Sequence, residues 1–139
     1  MVTEPEGLRQ ILDEVRSIAV IGYKGPGKGP AHSVPGYMQE QGYTILPVNP
    51  KLSDKLSNVV ATVNELTEAV DMVNIFRRSD AIAAHADEIL KMVSPPRVVW
   101  LQLGIRNDEA ATRLARAGIL VVQDRCLLVE HRRFFIASK

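Results

Sequence analysis

Residues 17–51 read SIAVIGYKGPGKGPAHSVPGYMQEQGYTILPVNPK. The segment opens on a short apolar run, Ile18 to Ile21, and passes through a glycine-rich turn into a helix expected to open near Ser33. It returns through a second apolar run, Thr44 to Val48, to Asn49-Pro50-Lys51. This is the pattern of one βαβ unit. Where the first strand hands over to the helix, free backbone N–H groups and the positive end of the helix dipole face the same space. An anion of phosphate size fits there.

Upstream, Leu8, Ile11, Leu12 and Val15 recur at i, i+3, i+4 and i+7, which predicts a helix with one buried face over Thr3 to Arg16. Thr3 and Glu6 have the spacing of a capping box, and Pro5 suits a first turn. The run Ile18-Ala19-Val20-Ile21 contains no polar residue, as expected of a parallel strand buried on both faces.

Downstream, Val34, Tyr37, Met38 and Gln41 form a weaker helical stripe, and Gly42 suits the stop that follows it. A brief strand is expected at Val59 to Val63, then a short helix around Asn64 to Ala69. Asp71 to Phe76 reads as a strand, with Ser79 as the expected cap of a helix carrying Ile82, Ala86, Ile89, Leu90 and Val93. Val98 to Leu103 is the next strand. Asn107 caps a helix through Ala117, Gly118 ends it, and Ile119 to Val122 is the last strand. Six strand candidates alternating with helices imply an α/β fold: a doubly wound, mainly parallel sheet of about five or six strands with helices on both faces.

The chain has 139 residues, enough for a core without disulfides or metal, and no linker interrupts it, so one domain over 1–139 is expected. With 46% apolar residues, 24% charged residues and a net charge of +1, it lacks the basic excess of a nucleic-acid binder. A single cysteine, Cys126, fits a reducing compartment, and with three scattered histidines it makes no zinc-ligand pattern. The N-terminus has no apolar signal core and no apolar run approaches a membrane span, so a cytoplasmic location is expected.

In an open α/β sheet, ligands bind outside the carboxyl ends of the strands, near the point where strand order reverses. Those ends carry Gly22-Tyr23-Lys24-Gly25, Asn49-Pro50-Lys51, Phe76-Arg77-Arg78, Gln102-Leu103-Gly104 and Gln123-Asp124-Arg125, with more cation than anion. The loop glycines at 22, 25, 27 and 29 do not have the G-x-G-x-x-G spacing, and no Asp or Glu ends the second strand to hold a ribose 2′-hydroxyl. An amide followed by an ammonium would instead accept a phosphate on the ribose, as in NADP or coenzyme A (CoA). Gly27-Lys28 is followed by Gly29 rather than Ser or Thr, so the P-loop pattern is absent.

Taken together, AVIGYKGPGKGPAHSV, GYTILPVNP, VDMVNIFRRSD, VWLQLGI and QDRCLLVEH closely resemble the small single-domain CoA-binding proteins. The fold of that family resembles the CoA-binding domain of the succinyl-CoA synthetase α-subunit. The resemblance runs from about Ser17 to His131 and implies a Rossmann-like domain that binds CoA or an acyl-CoA. It implies that the Gly22-Tyr23-Lys24 turn and the His32-Ser33 helix start hold the diphosphate through backbone N–H groups, with the Ser33 hydroxyl as a further donor. Asn49, Pro50 and Lys51 would line the adenosine end, with Lys51 on the 3′-phosphate. Phe76, Arg77 and Arg78 would edge the groove, the ring against adenine or pantetheine and one guanidinium on phosphate.

Simpler roles stand beside these. Lys24, Lys28 and Lys51 can be ordinary loop lysines, Arg77 and Arg78 a solvated pair at a helix start, and His32 a helix residue with no task. Cys126 reads as a structural thiol, Trp100 as core, and Glu130 with His131 as packing or solvated residues. No complete catalytic constellation is present, so a non-catalytic CoA carrier, sensor or subunit of a larger assembly is expected. The alternatives are an NADP-dependent oxidoreductase and an interaction module with an empty nucleotide site. A bulky residue at Gly22 combined with Ser33→Ala is expected to block the ligand without unfolding the domain.

Overall fold

The computed structural model describes residues 1–24 and 29–136. Among them, strands β1 (Ser17–Ile21), β2 (Thr44–Val48), β3 (Met72–Ile75), β4 (Val98–Leu101) and β5 (Leu120–Val122) form one parallel sheet. Their order is β2-β1-β3-β4-β5, so the direction of winding reverses between β1 and β3. Helices α1 (Pro5–Glu14), α2 (Pro30–Glu40), α3 (Ile82–Leu90), α4 (Asp108–Arg116) and α5 (Leu127–Phe135) cover the two faces. This is the Rossmann-like α/β architecture expected of alternating apolar runs and amphipathic helices.

Strand alternation divides the core. Ile18, Val20, Met72, Val98, Trp100 and Val122 belong to the cluster with Leu8, Leu12, Val34, Met38 and Leu127, which come from α1, α2 and α5. Their sequence neighbours Ala19, Ile21, Val73, Ile75, Val99, Leu101 and Val121 belong to the cluster with Ile82, Ile89, Ala111 and Leu114, from α3 and α4. A strand buried on both faces has no side for polar residues, which is why these runs are apolar throughout. Each fully buried Leu or Ile contributes about 1.5–3 kcal/mol. Trp100 is fully buried as expected, and its indole N–H donates to the Arg125 carbonyl at 2.9 Å.

Several local expectations change. Glu4, not Thr3, precedes α1, and no side chain caps that helix, so the capping box is not formed. The strand expected at Val59 to Val63 shrinks to a single parallel bridge, Val48 to Val60, followed by a 3₁₀ turn at Val63–Glu65 in place of the short helix. That bridge lies on the outer edge of β2, so the sixth strand survives only as one rung there. Ser79 does not cap α3. It lies in a 3₁₀ turn, Ser79–Ala81, and its hydroxyl accepts the Arg106 N–H at 3.0 Å, tying the β3 end to the loop after β4. Asn107 caps α4 as expected, accepting the Ala110 N–H at 3.0 Å. Helix α5, beyond the last expected strand, completes the face shared with α1 and α2. Among the described residues no helix is long and apolar enough to cross a membrane.

Candidate functional site

Where the strand order reverses, the ends of the strands are knitted together. The Gly22 N–H donates to the Val48 carbonyl at 3.0 Å, and the Ile21 carbonyl accepts the Phe76 N–H at 2.9 Å. Gly22 has φ +83°, and a Cβ built on it would lie 2.5 Å from the Phe76 carbonyl oxygen. Only glycine lets β1 turn this close to β3. A larger residue at Gly22 would therefore strike backbone rather than ligand, which overturns the expectation that it would block binding without disturbing the fold.

Asn49 secures the same turn from the other side. Its Nδ2 donates to the Tyr23 carbonyl at 2.7 Å, and its Oδ1 accepts the Lys51 N–H at 2.8 Å. The amide thus fixes both the β1–α2 turn and the chain leaving β2. The Lys51 and Pro50 side chains beside it are exposed.

Helix α2 starts at Pro30, three residues before the expected Ser33. Gly29 at φ +95° precedes it, and no side chain caps it. The His32 and Ser33 N–H groups both donate to the Gly29 carbonyl, at 3.1 and 3.0 Å, and the Ser33 hydroxyl donates to it at 3.2 Å. Pro30 has no N–H to offer. The Ala31 N–H, in the first turn, has no carbonyl four residues back within the helix, as at any helix start. Gly25, Gly27 and Lys28 lie outside the described residues.

A cleft of about 360 Å³ opens between this helix start and the ends of β3 and β4. Lys24, Gly29, Pro30 and Ala31 line it from the β1–α2 side, Phe76, Arg77 and Arg78 from β3, and Gln102, Leu103 and Ile105 from β4. Of the residues named from sequence, it brings together Lys24, Phe76, Arg77 and Arg78. Tyr23 and His32 instead line a depression of about 220 Å³ beside β2, with Pro35, Ile45 and Pro47. Gly22 and Asn49 shape the turn between them, while Ser33, Pro50 and Lys51 line neither.

The cleft has two chemical characters. Lys24, Arg77 and Arg78 are exposed cations beside a helix N-terminus. Arg78 meets Asp80 at 3.5 Å, but both side chains are more than 70% exposed, so water screens the pair and leaves the guanidinium available to an anion. Phe76, Leu103 and Ile105 supply an apolar stretch, and Leu103 is 67% exposed. The described residues lining the cleft include no carboxylate, imidazole or thiol.

Sequence reading missed Gln102, Leu103 and Ile105 as site residues, although the end of that strand was among the positions considered. The signal was there: Gln102, just past β4, continues the alternation of the buried Val98 and Trp100, and a glutamine closing a buried stripe is unusual. Asn74, on the same face as Phe76 and two residues before it, is also buried. Its Nδ2 donates to the Trp100 carbonyl at 3.1 Å, and its Oδ1 has no partner among the described residues.

A larger hollow of about 430 Å³ lies at the amino ends of β1 and β2, between the C-terminal ends of α1, α2 and α5. It includes Tyr43 and His131, but ligands of doubly wound sheets bind at the carboxyl ends of the strands. Burial lowers the His131 pKa below its usual value and pushes Tyr43 up to about 12. The His131 Nδ1 pairs with the Tyr37 hydroxyl at 2.8 Å, while Glu130 meets Arg133 at 3.1 Å and Arg125 at 3.7 Å. Adjacent in sequence, these two residues serve different neighbours.

Known proteins share this fold. The chain is 36% identical over 125 residues to the uncharacterized protein YneT of Bacillus subtilis (strain 168), covering 89% of this chain and 91% of that one. It superposes on the Thermus thermophilus protein cell-free ID.343 with a TM-score of 0.87 at 43% identity, covering 96% of this chain and all of the other. A hypothetical protein from Pyrococcus horikoshii OT3 gives a TM-score of 0.86 at 28% identity, covering 95% and 92% of the two chains. Residues 16–132 match the CoA binding domain family, from the strand before the glycine turn through most of α5. The chain therefore belongs to the CoA binding domain family.

Proposed function

We propose that the protein binds CoA or acyl-CoA in the cleft between α2 and the ends of β3 and β4, and that it does so without catalysing a reaction alone. The observation that carries this reading is the union, in one cleft, of a cationic helix start with an apolar stretch. A ligand with phosphates at one end and a long arm of low polarity at the other matches both halves. Lys24, Arg77, Arg78 and the Ala31 N–H would hold phosphate oxygens through charge-assisted hydrogen bonds. Phe76, Leu103 and Ile105 would pack against the pantetheine arm. Lys51, exposed beyond the clamped Asn49 and outside the cleft lining, would be the cation for a ribose 3′-phosphate. CoA supplies a thiol able to carry acyl groups. The described residues lining the cleft put no carboxylate, imidazole or thiol beside it, and Lys24 is an exposed cation, which favours a carrier, sensor or subunit.

Amide NMR during CoA titration tests the location. The expected result is a set of shifted signals at Ala31, Phe76 to Arg78 and Gln102 to Ile105. Shifts confined to the hollow around Tyr43 and His131 would contradict it.

A further inference from the structure

We propose that Gln102 is a specificity-determining residue of this cleft, donating its Nε2–H to a carbonyl oxygen on the arm of the bound ligand. This rests on the CoA reading above and deepens it by naming what the arm must present. Gln102 follows the last residue of β4, and its backbone N–H donates to the Ile75 carbonyl at 3.3 Å. The residue is only 4% exposed, yet it lines the cleft.

Its orientation is fixed by chemistry. The Gln102 Oε1 accepts the Leu127 N–H, in the first turn of α5, at 3.3 Å. A backbone N–H can only donate, so the amide oxygen must face α5 and the amide nitrogen must face elsewhere. Among the described residues Nε2 makes no hydrogen bond to a protein group, and it is not sealed from the cleft: the fully buried side-chain atom left unpaired there is Asn74 Oδ1. The amide N–H₂ therefore keeps donor capacity for a group in the cleft, whose lining includes the apolar Phe76, Leu103 and Ile105 as well as Arg77 and Arg78. The complementary group is an uncharged acceptor. The pantetheine arm carries two amide carbonyls, and an acyl group adds a thioester carbonyl; all three present the same chemistry to Nε2.

Two variants and three ligands test this. Gln102→Glu keeps an acceptor for the Leu127 N–H but removes the donor, and Gln102→Met removes both without adding charge. CoA, acetyl-CoA and 3′-phospho-ADP, which lacks the arm, are titrated calorimetrically against each protein, with urea midpoints confirming that it is folded. The expected result is that affinity for the arm-bearing ligands, relative to 3′-phospho-ADP, falls roughly ten-fold in either variant. A fall for CoA and acetyl-CoA alike assigns the contact to a pantetheine amide, and a fall for acetyl-CoA alone assigns it to the thioester; both support the role. An unchanged ratio in a folded variant overturns it while leaving the CoA reading intact. Failure of the unaltered protein to bind any of the three overturns the CoA reading and this role with it.

Discussion

A Cβ placed on Gly22 would lie 2.5 Å from the Phe76 carbonyl oxygen, so the turn after β1 and the end of β3 leave no room for a side chain between them. Gly22→Ala therefore introduces both a left-handed alanine and a backbone clash. The expected loss is about 2 kcal/mol or more, read as a lower urea midpoint at unchanged slope. A midpoint equal to that of the unaltered protein would show that the turn relaxes freely.

Asn49→Ala removes the donor to the Tyr23 carbonyl and the acceptor for the Lys51 N–H together. We expect about 1–3 kcal/mol of destabilisation and weaker CoA binding, since the β1–α2 turn is no longer held. Stability and affinity measured on the same preparation check this. If both stay unchanged, the side chain does not act as a clamp.

Lys51→Ala tests the adenosine end. If the ammonium holds the 3′-phosphate, CoA should weaken by about 1–3 kcal/mol while dephospho-CoA, lacking that group, is nearly unaffected. Equal losses for the two ligands would remove that role from Lys51.

The sheet was legible because its strands are buried on both faces, and Ile18 to Ile21 or Asp71 to Phe76 have few other places to go. Val59 to Val63 carries a weaker signal, read as a brief strand, and it lies outside β2 at the sheet edge, where one rung to Val48 is all that forms. The start of α2 was misplaced because Ser33 has the chemistry of a cap, whereas the true boundary is Gly29-Pro30, set by φ and by a missing N–H rather than by a side chain. At the site, the cationic ends of β1 and β3 were readable from chain order. The separation of Tyr23 and His32 from Lys24 was not, because neighbouring residues leave a turn on opposite sides, and only the fold decides which side faces the cleft.

Acid stability should follow His131. Its folded pKa lies below the ordinary 6.5 because burial disfavours the imidazolium. On lowering the pH through about 6.5 the unfolded chain therefore takes up the proton first, and the His131 contribution to stability, full above that pH, is lost as pH falls through the folded pKa. His131→Gln should flatten this dependence, measured as thermal midpoints from about pH 5 to 8. The exposed carboxylates Glu14 and Asp108, held low chiefly by hydrogen bonds from Gln10 and Gln123 respectively, act only in more acidic solution. An identical slope in the variant would mean that another group carries it.

Calorimetric titration of the purified protein with CoA, alongside dephospho-CoA, NADP and NAD at one salt concentration, separates CoA recognition from general nucleotide binding. CoA should bind tightest, and loss of its 3′-phosphate should weaken it. NADP binding more tightly than CoA, or no binding of any of the four, would contradict CoA recognition.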